Sequence, residues 1–284
     1  MGTLYVVAGP IGNLEDITLR ALRVLKGVSL VAAEDTRTAQ HLLRHYDIHA
    51  PVTSLFEHNE ETKVGAILEA LQGGDVALIS EAGTPGLSDP GYRLIAATIA
   101  AGLPVVPIPG PSALTTALVV SGLPTDGFVF LGFLPRKPSA RRALLGECQA
   151  ERRTLVAYEA PHRLREALAD IRETLGDRQI AVARELTKLF EQVIRGTVSE
   201  ALAHFEQQPP RGEITLVIAG ATEADSAAWA EEHVRASLAE LLAGGLSKSE
   251  AARQVAQRSH WPRQQVYRLA MDLAGAEQHG QEKE

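Results

Sequence analysis

Four short apolar runs, Leu4–Ala8, Val28–Ala33, Val76–Ile79 and Val105–Ile108, alternate with stretches of helical spacing at the start of this chain. The helical stretches are Ile17–Leu25, Thr36–His45, Lys63–Leu71 and Tyr92–Ala101. Asp16 is placed as the N-cap of the first, and Gly73-Gly74 stops the third. Val76–Ile79 is apolar at every residue, as strands buried on both faces are. Alternation of this kind predicts a mostly parallel sheet covered by helices. No charged residue lies between Arg93 and Asp126. A bilayer span needs ~20 predominantly apolar residues, but Gly102, Pro104, Pro107, Pro109, Gly110 and Pro111 interrupt this one in its middle. A strand between two short buried helices is expected there, and no membrane segment.

Gly127–Pro138 reads as a bridging strand and a crossing loop. Beyond it, strands are expected at Leu155–Tyr158, Ile180–Arg184 and Ile214–Ala219, with helices at Arg163–Thr174 and Val198–Glu206. Ala221–Glu232 reads as a linker or fraying helix, and Val234–Leu273 is helical in pattern. Within it, Ser247 and Glu250 have the spacing of a capping box, and Trp261-Pro262 opens a further helix. Two short helices joined by a tight turn are a helix-turn-helix pattern. The last ten residues are polar and expected to be disordered. The organisation is an α/β domain over 1–125, a second over 126–222, and a linker with a helical domain over 223–284.

The chain has 284 residues, which at ~150 residues per domain fits this division. With 45% hydrophobic and 22% charged residues, it is no mostly disordered chain. The single cysteine, Cys148, excludes an internal disulfide and a Cys-rich zinc site. This suits a reducing cytoplasm. No basic segment precedes an apolar one at the start, so no signal peptide is expected. The formal charge of −7 argues against a general nucleic-acid coat, yet two local patches are basic. Residues 136–153 hold Arg136, Lys137, Arg141, Arg142, Arg152 and Arg153 against Glu147 and Glu151, net +4. Residues 246–270 hold Lys248, Arg253, Arg258, Arg263 and Arg268 against Glu250, also net +4. Each patch is equally well read as a solvated helix face.

Chemistry is expected in the loops after the strands, where open α/β sheets bind ligands. Three are rich in glycine or proline: GPIGNL at 9–14, SEAGTPGLSDPG at 80–91 and PIPGPSA at 107–113. Glycine lets a backbone approach a ligand, and proline fixes the loop. None ends in the Lys-Ser/Thr of a P-loop and none is GxGxxG, so a triphosphate or dinucleotide is poorly supported. A ligand read by backbone amides and carbonyls fits better, although any one loop alone reads as a tight βα turn. Charged clusters also end three strands: Glu34-Asp35-Thr36-Arg37, Glu159 to Arg163, and Arg184-Glu185 with Lys188. Together they suggest a cleft, while singly they read as helix caps and surface ion pairs. His41 and His45 have no third zinc ligand nearby, so no metal is expected. No Ser-His-Asp arrangement with a nucleophile elbow is present.

In order along the chain, GPIGNLEDITLRAL at 9–22, AAEDTR at 32–37, SEAGTPGLSDPG at 80–91, PIPGPSAL at 107–114, GFLPRK at 132–137, YEAPHRL at 158–164, ARELTKLFE at 183–191 and GEITLVI at 212–218 closely resemble the tetrapyrrole methylase superfamily. Within it, the likeness is to members that methylate small-subunit (16S) ribosomal RNA. The resemblance runs from Leu4 to about Ala219 and extends to the small C-terminal helical domain. It implies two α/β domains with a cofactor cleft between them. It also implies methyl transfer from S-adenosylmethionine to the ribose 2′-oxygen of a cytidine in the decoding region, and a cytoplasmic homodimer acting on the small ribosomal subunit.

Carried over by position, Pro10, Ile11 and Gly12 match the first cofactor loop. Gly83, Thr84, Pro85, Ser88 and Asp89 match the second, and Ser112 and Ala113 the third. Tyr158, Glu159, Gly212, Glu213 and Ile214 match the second-domain wall. Gly9 departs from the threonine of many members, so a side-chain hydroxyl is missing there. Candidate bases are Asp89, Glu34 and Glu185, with Lys188 or Arg37 placing charge. Alignment of two reactants supplies an effective molarity of ~10⁵–10⁸ M and a general base only ~10²–10⁴-fold, so positioning is expected to dominate. Arg136, Lys137, Arg141 and Arg142, with the C-terminal helices, are expected to grip RNA phosphates. Two other readings compete: a C-methyltransferase of a tetrapyrrole (corrin) precursor, and a DNA-binding regulator reading through Ser247–Leu273.

Overall fold

Val76–Ile79, buried at all four residues, forms the central strand (β4) of a five-stranded sheet. The structure, a computed structural model, describes residues 1–56, 59–222, 231–259 and 261–281. The other strands of this sheet are β1 (Leu4–Val7), β2 (Leu30–Ala33), β3 (Val52–Ser54) and β5 (Val105–Ile108), in the order β3-β2-β4-β1-β5. All pairings are parallel, as the alternation predicts. Its helices are α1 (Leu19–Gly27), α2 (Thr36–His45), α3 (Glu60–Gly73) and α4 (Tyr92–Ala100). α1 and α2 bury Ala21, Leu25, Leu42 and Leu43 on one face of the sheet. α3 and α4 bury Ile67, Leu71 and Leu94 on the other.

The cap of α1 differs from expectation. Asp16 ends a short 3₁₀ turn, and the Thr18 hydroxyl accepts the Ala21 N–H instead. Thr18 wins because the extended backbone at Ile17 resets the chain before the helix starts. Asp35 caps α2, accepting from the amides of Arg37 and Thr38. β3 was not legible in the sequence. It is an edge strand of three half-buried residues, too short to show a period.

The second sheet holds β6 (Phe128–Phe133), β7 (Thr154–Glu159), β8 (Gln179–Arg184), β9 (Gln192–Thr197) and β10 (Ile214–Ile218), in the order β6-β7-β10-β8-β9. β6 and β7 are parallel, and the remaining pairings antiparallel. β10 lies in the middle and is buried throughout. α6 (Pro138–Glu147), α7 (Leu164–Leu175) and α8 (Val198–Gln207) cover one face. The opposite face is covered by α5 (Ala113–Val120), which arises from the first sheet. Leu114, Ala117 and Leu118 of α5 pack on Val156, Ala181 and Val217. Burying each of those leucines contributes about 1.5–3 kcal/mol, so α5 binds the two sheets together.

α9 (Glu231–Ala243), α10 (Lys248–Ser259) and α11 (Arg263–Gln281) form a separate helical cluster around Val234, Leu238, Ala252, Val255 and Val266. The Ser247 hydroxyl accepts the Glu250 N–H, but the Glu250 carboxylate turns to Arg253 rather than closing a capping box. Residues 223–230 of the expected linker lie outside the described residues. α11 runs to Gln281, so residues 275–281 of the segment expected to be disordered are helical, and residues 282–284 lie outside the described residues. Among the described residues, no helix is long and apolar enough to cross a membrane.

Candidate active site

The antiparallel pairing of β10 gathers distant residues on one edge. Its first residue, Ile214, pairs with Glu159 at the end of β7 and with Arg184 at the end of β8. Gly212–Thr215 therefore lies beside Tyr158, Glu159 and Ala183. In the parallel first sheet, the segments after β1, β2, β4 and β5 all leave from one edge. α5 holds the two edges around a cavity of about 460 Å³. That is within the size range of small-molecule and cofactor sites.

Backbone bonds fix the loops that wall it. The Gly9 N–H donates to the Gly83 carbonyl at 2.8 Å, and the Gly83 N–H returns to the Pro10 carbonyl at 3.3 Å. The loop after β4 is anchored from below by Glu60. Its buried Oε1 accepts the amides of Gly91, Arg93 and Leu94 at 3.1, 3.0 and 3.2 Å. A carboxylate there also meets the positive end of α4. Ser88, on the same loop, holds φ +68°, a left-handed conformation uncommon outside glycine.

The lining is acidic. Glu34, Glu81, Asp89, Glu159 and Glu213 contribute to it, and among the described residues no lysine or arginine does. Burial, reinforced by the Glu34 carboxylate, pushes Asp89 up to about 7. Burial likewise raises Glu81, with Glu34, Asp35 and Glu213 adding repulsion. Tyr158 is raised by burial too, and its ring packs on Phe130 and Phe133. Glu159 is raised by burial; its Oε1 accepts from Ala160 and pairs with Arg163 at 2.5 Å. Its buried Oε2 has no hydrogen-bond partner in the protein.

Beside this cavity, Lys188 Nζ sits 3.0 Å from Glu185 Oε1 and 3.1 Å from Glu213 Oε2. Both carboxylates raise Lys188 against the opposing effect of its burial. Glu185 is lowered although burial opposes this, because the Glu213 N–H and Lys188 favour its charged form. The Lys188 stem crosses the first loop at Gly12, where a Cβ would stand 2.5 Å from Lys188 Cγ. A Cβ at Gly212 would stand 2.2 Å from Glu185 Cδ. Both glycines have positive φ, +145° and +77°, so space and conformation alike demand glycine.

Residues 3–202 match the family described as Tetrapyrrole (Corrin/Porphyrin) Methylases. The chain belongs to this family. The methylase is 50% identical over 275 residues to Ribosomal RNA small subunit methyltransferase I of Synechocystis sp., covering 96% of this chain and 99% of that one. It is 45% identical to the protein of that name from Pseudomonas aeruginosa, covering 96% and 98%. The protein of that name from Halalkalibacterium halodurans is 43% identical, covering 94% of each chain. Among solved structures, a cobalt precorrin-4 methyltransferase matches with a TM-score of 0.56 at 17% identity, covering 76% of this chain and 94% of that one. The uroporphyrin-III-C-methyltransferase of Thermus thermophilus matches at 0.53 and 22%, with the same coverage. At such identities these two structures speak for the fold.

Of the positions expected to hold a cofactor in this methylase, Ile11, Gly83, Thr84, Ser88, Asp89, Ser112, Ala113, Tyr158, Glu159, Gly212, Glu213 and Ile214 line the cavity. Pro10 and Gly12 line a second, adjoining cavity, and Pro85 is buried in the loop. Of the base candidates, Glu34 and Asp89 line the first cavity, whereas Glu185 and Lys188 are engaged with each other outside it. Arg37 is 89% exposed and pairs with Asp35. Arg136 and Lys137 are exposed, and Arg142 is partly so while paired with Asp170.

Arg141 corrects an expectation. It is 1% exposed, its Nε lies 2.6 Å from Asp170 Oδ2, and it faces the core rather than an RNA phosphate. The first turn of α6 turns this position inward, which charge pattern alone does not reveal. Glu81, Phe133 and Thr215 line the cavity without having been singled out. Glu81 carried a signal, since it lies two residues past β4 within the SEAGTPGLSDPG segment. Glu60 carried none, because its partners are more than 30 residues away. Among the described residues, no group of three or more histidines, cysteines or carboxylates is placed to hold a metal ion.

Proposed function

We propose that this methylase transfers a methyl group from S-adenosylmethionine to the 2′-oxygen of a cytidine in small-subunit (16S) ribosomal RNA, in the decoding region. The observation that carries this reading is the near end-to-end match to relatives named for small-subunit ribosomal RNA methylation. The homodimeric state and cytoplasmic location belong to the same reading, supported by the family resemblance.

The residues of the first cavity suit this cofactor. It bears no phosphate, and among the described residues the walls offer neither a lysine nor an arginine to bind one. It carries cationic groups, and five acidic side chains line the cavity. The unpartnered Glu159 Oε2 is an acceptor open to an N–H donor. Residues at Gly83–Thr84, Ser112–Ala113 and Gly212–Ile214 would hold the cofactor through backbone groups. When bound, it supplies an electrophilic methyl group on a sulfonium centre. Asp89, held near neutrality, is the side chain best matched to take the proton from an acceptor hydroxyl at its carboxylate. Glu34, beside it, raises its basicity.

The test is methyl transfer from labelled cofactor to small ribosomal subunits lacking the modification, with the labelled nucleoside identified. Label on a cytidine 2′-oxygen supports the reading. Cofactor binding without label on subunits or free RNA, but with label on a corrin precursor, replaces it with tetrapyrrole C-methylation.

A further inference from the structure

A second cavity, of about 410 Å³, adjoins the first and shares Ile11, Glu81, Ala82 and Glu213 with it. We propose that this second cavity receives the base and ribose of a nucleotide splayed out of an RNA chain, with its ribose toward the Glu81 and Glu213 wall. The assignment rests on the RNA reading above and extends it to a site for the acceptor.

Three observations carry it. The first is adjacency. Group transfer needs donor and acceptor in contact, and the two cavities share four wall residues. The second is the character of the walls. Leu14 and Leu42 give an apolar surface for a base, while Glu81 and Glu213, the latter also holding the Lys188 ammonium of the same wall, give acceptors for ribose hydroxyls. The third is the opening. Thr38 and His41 of α2 are exposed where they line the cavity. A nucleotide entering there with its base splayed out of the stack keeps its flanking phosphates in solvent. Gly9 adds room, since a Cβ at that position meets nothing within 4 Å.

The test narrows the mouth from the solvent side, so that the core is untouched. Thr38→Trp and His41→Trp are compared with wild type and with Lys26→Trp, at an exposed residue of α1 that lines neither cavity. Cofactor affinity is measured by calorimetry, and KM and kcat with small subunits lacking the modification. The Thr38 and His41 variants are expected to raise KM for subunits about tenfold or more, as loss of acceptor binding does, with cofactor affinity unchanged and Lys26→Trp like wild type. An active wild type with unaltered KM in both variants overturns the assignment alone. A parallel loss of cofactor affinity overturns it too, because the cavity then belongs to the donor. A wild type that methylates no RNA but binds cofactor overturns the RNA reading and the assignment with it.

Discussion

Lys188 lies across Gly12, its ammonium tied to Glu185 and Glu213 and its stem occupying the space of a Gly12 side chain. The contact joins the loop after β1 to the loop after β8. A flexible lysine ordinarily yields to a new methyl group, but two carboxylates hold this one. Gly12→Ala is expected to cost about 1–3 kcal/mol in backbone strain, plus the displacement of Lys188. Lys188→Ala in the same chain should relieve the displacement and leave the strain. Urea unfolding of the two single variants and the double variant measures this coupling. Strictly additive losses would show that Lys188 does not press on Gly12.

Glu60 decides the shape of a loop it does not belong to. Glu60→Ala leaves the amides of Gly91, Arg93 and Leu94 without their acceptor. The expected loss of stability is about 1–3 kcal/mol, with faster hydrogen exchange at those three amides and weaker cofactor binding. Glu60→Gln keeps a carbonyl acceptor and should fall between. Unchanged exchange in Glu60→Ala would remove Glu60 from this role.

As the proposed base, Asp89 should set a pH dependence. Its carboxyl is pushed up from 3.8 to about 7, mainly by burial. Below that value it holds a proton and cannot accept another, so methyl transfer should rise with pH through about 7. Asp89→Asn should remove this limb and lower kcat by about 10²–10⁴-fold. The stability effect has the opposite sign. Between pH 3.8 and about 7 the folded state binds more protons here than the unfolded chain, so stability attributable to Asp89 declines as pH rises. Asp89→Asn should therefore unfold no more easily than wild type at neutral pH. A variant with full kcat and an unaltered pH profile would exclude Asp89 as the base.

Arg141 serves the core. Arg141→Ala strands the Asp170 carboxylate, 9% exposed, beside the remaining partner Arg142. Breaking a buried pair from one side costs about 3–5 kcal/mol, and a loss of that order is expected in urea unfolding. At temperatures where the variant stays folded, KM for small subunits should match wild type. A raised KM in a stable variant would restore Arg141 to the RNA surface.

Local physics made much of this protein readable from its residues. The parallel sheet followed from four apolar runs spaced by helical periods, and the fully buried β4 from its unbroken apolar sequence. The three loops that wall the first cavity were legible because tight turns at strand ends demand glycine and proline. The family was legible from their order along the chain. Tertiary structure decided what depends on contacts between distant residues. β10 runs antiparallel to β7 and β8, and only that direction puts Gly212–Thr215 beside Tyr158 and Glu159. Arg141 turns into the core while Arg136 and Lys137 stay outside, although charge alone ranked them together. Lys188 and Glu185 neutralise each other outside the first cavity, while Glu34 and Asp89 meet within it. Local propensities act over a few residues, whereas burial and charge pairing depend on which distant segments the folded chain brings into contact.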